Sequence, residues 1–321
     1  MLTRRTAIAG LGALAVAPAR AQTFPTRTIT IVVPYPAGGP VDVLARLIAQ
    51  HAAADLGQAI TVDNRAGGSG VIGSVAVMRA EPDGHTLVLT TQQTHATNQS
   101  MIKNHPFDAA KDFAPVAGLT EVPHVLVVRR DLPTGSVAEL LKLGGLNSNG
   151  LNCGSSGNGS ASHLTAELFK TRTGINLTHV PFRGAAPLVT ELMAGRIDMS
   201  FATLPSVATH VDTGAIRALA VASPRRAERL PTVPTLREAG VSGVEADAWF
   251  AMFAPAKTPA DAIDRIYQAV TRALGGDAAK SVLAAQGMTL MLRSPAELGA
   301  MLPAEIAKWA AVIKAANIAV E

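Results

Sequence analysis

The residues able to carry chemistry are few and widely spaced in this chain. Gly68-Ser69-Gly70-Val71-Ile72-Gly73 has the G-x-G-x-x-G spacing that lets backbone amides approach a pyrophosphate. A dinucleotide site also needs an acid about 20 residues on, closing the next strand against the ribose hydroxyls. That strand ends instead in Thr90-Thr91-Gln92, and no lysine follows Gly73 to make a phosphate loop. The segment is therefore read as a turn that packs closely. Residues 154–159 are rich in Ser and Gly, but Asn158 stands where a G-x-S-x-G nucleophile elbow needs its last glycine. The eight histidines show no H-E-x-x-H spacing, so no metal site is expected. His163, on the first turn after the serine-rich loop, either donates to a ligand or holds that loop. Cys153 is the one cysteine, which excludes an intrachain disulfide and zinc sites built on cysteine pairs. It is expected in the core.

With no acid–base constellation, the chain is read as a binder that needs no cofactor. Two glycine-rich loops, each between a strand and a helix, supply the physics. A helix start presents amides without intrahelical acceptors and about half a positive charge, so it attracts anions without a lysine. Gly38 and Gly39 bring a ligand to the backbone of the first loop. Ser155, Ser156, Asn158 and Ser160 add neutral donors in the second. Facing each other, the two loops would clamp a small carboxylate from both ends.

The elements that must position these loops follow from periodicity. Residues 28–33 form an apolar, β-branched run ended by Pro34, and 41–54 repeat apolar residues at helical spacing behind Pro40. Strands are predicted at 59–62, 86–90, 125–128, 151–154, 179–182, 198–202, 216–222 and 249–254. Helices are predicted up to residue 80 and at 136–143, 161–171, 186–194, 259–274, 278–286 and 295–316. Strand, helix, strand in alternation implies parallel sheets covered by helices. Two similar α/β lobes result, the first receiving the C-terminal segment back. Residues 22–122 with about 225–321 make lobe 1, and about 123–224 make lobe 2. A ligand would sit between them, beyond the carboxyl ends of the strands.

Composition supports this reading. Of 321 residues, 48% are hydrophobic, enough for a sizeable core. Residues 1–21 combine Arg4 and Arg5, an apolar run at 7–17 and the small-x-small ending Ala19-Arg20-Ala21. That is the pattern of a cleaved export signal, with Gln22 as the expected mature N-terminus. Thr3-Arg4-Arg5 leaves both the twin-arginine and the general secretory route open. Without Arg4, Arg5 and Arg20, the net charge of +4 falls to +1, which argues against nucleic acid as a partner.

These residues also resemble a known family. VPYPAGGPVDVLAR (33–46), NRAGGSGVIG (64–73), GSSGNGSASHL (154–164), VPFRGAAP (180–187) and LPTVPTLREAG (230–240) are similar to segments of the Bug family. These are the periplasmic substrate-binding proteins of tripartite tricarboxylate transporters. The resemblance implies a hinged, two-lobed type II periplasmic binding fold, monomeric, that closes on a carboxylate and delivers it to membrane permease subunits. It implies ligand contacts at Tyr35, Ala37, Gly38, Gly39 and Asp42, with Thr90, from the first lobe. From the second it implies Ser155, Ser156, Gly157, Asn158, Gly159, Ser160 and His163, with Phe182, Arg183, Gly184 and Ala185. Asp42 is expected to hold its loop, and Arg183 either pairs with a ligand carboxylate or lies solvated. Where the family often has Phe-Asp, this chain has Phe201-Ala202. If residue 202 faces the cleft, a ligand ammonium would lack a counter-charge there. His95 and Asn98 match the family's His-x-x-Asn, with Gln99 in place of its proline. Two other readings stay open: an orphan binding protein reporting to a signalling partner, and a hydrolase using Ser156.

Overall fold

The computed structural model describes residues 24–148 and 150–318. The export segment read from residues 1–21 lies outside them. The first half builds β1 (Ile29–Val33), α1 (Pro40–Leu56), β2 (Ile60–Asn64), α2 (Val71–Met78), β3 (Thr86–Thr91), the short α3 (Asn98–Met101) and β4 (Phe113–Val122). After Pro123 come β5 (His124–Arg129), α4 (Val137–Leu146), β6 (Leu151–Ser155), α5 (Ala161–Thr173) and β7 (Leu177–Pro181). They are followed by α6 (Ala185–Met193), β8 (Met199–Thr203), α7 (Leu204–Asp212) and β9 (Ile216–Val221). The last part is β10 (Ala248–Pro255), α8 (Ala260–Gly275), α9 (Asp277–Ala285), β11 (Thr289–Arg293) and α10 (Pro295–Ala315).

Two sheets result, ordered β11-β4-β10-β3-β1-β2 and β7-β6-β8-β5-β9. Each has three parallel strands in the order second, first, third, then one antiparallel strand that arrives from the other lobe. In the first sheet that strand is β10, antiparallel to both β3 and β4. In the second it is β5, antiparallel to both β8 and β9. The chain therefore crosses between lobes twice, and the crossings lie side by side. The Ala222 N–H donates to the His124 carbonyl, and the Ala246 N–H donates to the Ala222 carbonyl, both at 2.8 Å.

The sequence pattern accounts for the cores. In β1, the buried Ile29, Ile31 and Val33 pack with Leu44 and Ile48 of α1, while Val32 points to the other face with Val77 and Val88. Each such side chain contributes about 1.5–3 kcal/mol when fully buried. Helix α1 stops at Gly57, whose left-handed backbone (φ 69°) lets its N–H reach the Ala53 carbonyl.

Strands β4 and β11, the turn before α3, α3 itself and α7 went unread in the sequence. Strand β4 lies in an apolar stretch that shows no alternation, because it is covered on both faces. A π-helical turn (Gln93–Thr97) leads into α3 through a polar run. Helix α7 begins with a proline near its first position. The second crossover is also a correction. Ala227 and Leu230 pack with Val125 and Val207, while Leu236, Val241 and Val244 pack with Phe201 and Leu219. The chain thus stays on the second lobe until about Ala246, and does not leave at residue 225. Among the described residues, no helix is long and apolar enough to cross a membrane.

Candidate functional site

In the first lobe, the β1–α1 loop is fixed by Asp42, a buried carboxylate on the first turn of α1. Its Oδ2 accepts the Gly38 N–H and the Arg46 Nε–H, each at 2.9 Å, and its Oδ1 accepts from Asn64 Nδ2 at 3.0 Å. Asn64 Nδ2 also donates to the Tyr35 carbonyl at 3.1 Å. Burial opposes ionisation of Asp42, but the hydrogen bonds from Arg46, Gly38 and Asn64 outweigh it and hold the pKa below the ordinary value. Asp42 holds the loop, and the Gly38 amide is occupied by it. Pro40 carries no N–H, so the amides of Val41 and Asp42 are those that α1 leaves without an intrahelical acceptor. The N-cap, Gly39, has ordinary extended backbone (φ −77°, ψ 168°) and supplies no side-chain cap. A Cβ built there would meet only the Pro36 carbonyl oxygen at 3.6 Å. Ala37 and Gly38 are exposed beside it.

Tyr35 ties this loop to two others. Its hydroxyl lies 2.7 Å from Thr91 Oγ1 and also bonds Thr94 Oγ1. The Thr94 hydroxyl in turn donates to the Ser69 carbonyl at 3.0 Å, as does Asn98 Nδ2 at 3.0 Å. Proton accounting fixes the order: with its own proton on Ser69, Thr94 accepts from Tyr35. Burial pushes the Tyr35 phenol above its ordinary pKa. Thr90 is buried on β3 opposite Ala251. The Gly68-Ser69-Gly70 turn is thus held by its packing on the π-helical turn.

In the second lobe, the serine loop runs from the end of β6 to α5 and is closed on itself. Ser155 is fully buried. Its Oγ lies 2.6 Å from His179 Nε2, donates to the Gly157 carbonyl and accepts the Gly157 N–H. Ser160 is the N-cap of α5: its Oγ accepts from the His163 N–H at 3.3 Å and donates to the Gly157 carbonyl at 2.7 Å. Ser162 Oγ accepts the Ser156 N–H at 2.9 Å. The Gly159 N–H donates to His163 Nδ1 at 3.1 Å. Gly159 has φ 66°, and a Cβ there would lie 2.7 Å from the Met101 side chain of the first lobe. Ser156, Gly157 and Asn158 form the half-buried outer edge.

The β7–α6 turn lies against this loop. The Phe182 N–H donates to the Ser155 carbonyl at 2.9 Å, and the Gly184 N–H to the Ser156 carbonyl at 3.1 Å. Gly184 is the N-cap of α6 and gives no side-chain cap. Ala185 opens the helix, leaving its amide and that of Ala186 without intrahelical acceptors. Of the helices that open behind the β1–α1, serine and β7–α6 loops, α1 in one lobe and α6 in the other start without a side-chain cap, whereas Ser160 caps α5. Arg183 is exposed, and it has no ion-pair partner among the described residues. Asp63 pairs with Arg65 at 2.7 Å and Asp42 with Arg46, so Arg183 is the uncompensated charge of these loops.

Ala202 requires a correction. Its methyl group is 2% exposed and packs with Val125, Val189, Leu204 and Val207 inside the second lobe. It sits in the core and not at the cleft, because alternation along β8 turns it toward the α6–α7 face. Sequence reasoning also missed Asn64 and His179, which position the loops from 22 or more residues away. Neither stands out locally, since β2 also carries Thr61 and Asp63 and β7 also carries Thr178. Ser156, the nucleophile of the hydrolase reading, bonds Ser162 Oγ at 3.1 Å, and no histidine is hydrogen-bonded to it among the described residues. Ser155 does have one, but is closed off from solvent. Cys153 is buried, and burial pushes its thiol up to about 12.

Comparison with known proteins agrees with this geometry. The model of the tripartite tricarboxylate transporter family receptor matches residues 44–318. Protein BugT of Bordetella pertussis is 34% identical over 299 residues, covering 93% of this chain and 92% of BugT. The structure of R. palustris Rpa4515 with adipate superposes with a TM-score of 0.84 at 39% identity, over 92% of this chain and 99% of that one. MatC from Rhodopseudomonas palustris with bound malate gives 0.80 at 33% identity, over 90% and 100%. The fold is the two-lobed α/β fold of periplasmic binding proteins, and the chain belongs to the tripartite tricarboxylate transporter family of receptors, among the Bug proteins.

Proposed function

We propose that this chain is exported to the periplasm, captures a small dicarboxylate between its lobes and delivers it to the membrane permease subunits of a tripartite transporter. The observation that carries the reading is the pair of uncapped helix starts, α1 from one lobe and α6 from the other, with Arg183 as the one uncompensated charge of the loops. Each helix start favours an anion by about 0.3–1 kcal/mol even where partly exposed, and by more once lobe closure excludes water. Two such ends suit a ligand with a carboxylate at each. Adipate and malate, present in two related structures, have this form and support the class. Ligand contacts are assigned to the Tyr35–Asp42 loop, to the outer edge Ser156–Asn158 and to the Phe182–Ala185 turn. The protein acts as a binder and not as an enzyme.

Mass spectrometry of ligand retained on natively purified protein tests the reading, together with a thermal-shift panel of mono- and dicarboxylates in EDTA. A retained dicarboxylate, or a shift with one that EDTA does not remove, supports it. A panel without response and a protein carrying no anion would refute it. Intact mass of the periplasmic form is expected to begin at Gln22.

A further inference from the structure

The His163 and His179 rings lie parallel, 3.6 Å apart between centroids and 4° between planes. They come from different elements, α5 and β7, and each reaches a different residue of the serine loop. Donors and acceptors fix their states. The Gly159 N–H can only donate, so His163 Nδ1, 3.1 Å away, carries no proton. The proton of neutral His163 is therefore on Nε2, the atom that faces Glu167 Oε1 at 3.9 Å. At the other ring, the Ser155 hydroxyl donates to the Gly157 carbonyl, which leaves Oγ to accept from His179 Nε2. Both rings are neutral Nε2–H tautomers.

We propose that His163, backed by His179, is a positioning residue of the serine loop, its bare Nδ1 setting the backbone of Gly159 and with it the outer edge that faces the cleft. The inference rests on the reading of that loop as a ligand loop, but its own content is the tautomer and the hydrogen bond. The groups facing the pair are Glu167 and Lys170 on α5, and Cys153 and Ser155 on β6. Glu167 is too distant for a strong bond that would draw a second proton onto His163. Burial, then His179 and Lys170, push His163 down to about 4, so the acceptor is available throughout the neutral range. A proton on Nδ1 would set one N–H against another and release Gly159. The placement also reaches the other lobe, since the space a Gly159 Cβ would need is held by Met101.

The test uses the full chain with His163→Leu and His163→Asn. An asparagine Oδ1 stands where Nδ1 does and can accept from Gly159, whereas leucine cannot. Nitrogen NMR of the wild type is expected to show His163 Nδ1 bare and Nε2 protonated at pH 7. The exchange protection of the Gly159 amide should fall at least tenfold in His163→Leu and return in His163→Asn. Wild-type protection should hold from pH 7 to 5 and drop as the pH approaches 4. Unchanged protection in the leucine variant, or a protonated Nδ1, would overturn the proposal. Thermal shift with adipate and with malate is a separate arm. If the wild type responds to neither, the dicarboxylate reading is weakened, while the Gly159 result still decides the role of His163. If it does respond, the leucine variant should bind at least tenfold more weakly and the asparagine variant as the wild type does.

Discussion

The Asp42 carboxylate accepts the Gly38 N–H at 2.9 Å, bridging back across the start of α1 to the loop that precedes it. The same group is bonded to Arg46 and Asn64, so removing it strands three donors at once. Asp42→Ala is expected to cost about 1–3 kcal/mol and to weaken ligand binding by loosening the loop. Asp42→Asn, which keeps an acceptor, should lose less. The folded-state pKa lies below the unfolded one, so this stabilisation is complete above about pH 4 and is lost as pH falls further. Urea denaturation of both variants at pH 7 and pH 3 checks the order: the gap between wild type and Asp42→Ala should shrink at pH 3.

Gly39→Val separates fold from binding. The backbone there is extended, and an added Cβ meets only one carbonyl oxygen at 3.6 Å, so the melting temperature without ligand should change little. Branched carbons beside the α1 amides should block a carboxylate. Ligand at one hundred times its dissociation constant stabilises a single-site binder by about 2.7 kcal/mol, and this variant should lose that gain. A full thermal shift in Gly39→Val would remove Gly39 from the site.

Legibility in the sequence followed periodicity. The β1–α1 unit could be read because a β-branched run, a proline stop and a helical repeat follow each other without conflict. Strand β4 could not, because a strand covered on both faces has no alternation to detect. The return to the first lobe was placed too early because residues 224–234 look like a linker, rich in charge and proline. The burial of Ala227, Leu230, Leu236, Val241 and Val244 is what reveals that it clings to the second lobe. At the site, glycine spacing located the loops but not their state. That the Ser155 and Ser160 hydroxyls turn inward depends on His179 and on the Gly157 carbonyl, contacts that no local pattern encodes.

His95 predicts an acid sensitivity unrelated to binding. It is fully buried among Phe107, Phe113 and Phe253, stacked on the last with centroids 4.5 Å apart, and neither ring nitrogen has a hydrogen-bond partner among the described residues. Burial, with a smaller contribution from His105, pushes its pKa down to about 3. The unfolded chain takes up this proton near pH 6.5 and the folded chain does not, so stability is full above that pH and falls as pH drops below it. One such group gives a slope of about 1.4 kcal/mol per pH unit between roughly pH 6 and 4. His124, lowered to about 4 mainly by burial, adds a similar slope over a shorter range. His95→Phe should remove its share and cost little at pH 7, since no hydrogen bond is lost. Stability measured from pH 7 to 4 in both proteins tests this: parallel curves would refute it.

Arg183 is exposed and unpaired, so Arg183→Gln should leave the melting temperature unchanged. If its guanidinium meets the second carboxylate of the ligand, the variant should lose about tenfold in dicarboxylate affinity and far less for the matching monocarboxylate. The salt dependence of the dicarboxylate affinity should also flatten. Calorimetry at two ionic strengths reads both effects. Equal losses for both ligand types would place Arg183 on the carboxylate they share, and no loss for either would place it outside the contact.

Ala202→Asp would be the natural change to recruit amino acids if residue 202 faced the ligand. The structure predicts another outcome. The methyl group packs against Val125, Val189, Leu204 and Val207, so a carboxylate there enters an apolar cluster with no cation or donor prepared for it. A buried, unpaired charge costs several kcal/mol, and the new carboxyl would lower that cost by taking up a proton. Ala202→Asp should therefore lower stability by about 3 kcal/mol or more at pH 7, and by less at pH 5, where protonation is easier. Ala202→Ser, small and able to bond a nearby carbonyl, should be tolerated better. Denaturant titrations at the two pH values decide the matter. A stable Ala202→Asp protein with gained affinity for a 2-amino dicarboxylate would show that residue 202 reaches the cleft after all.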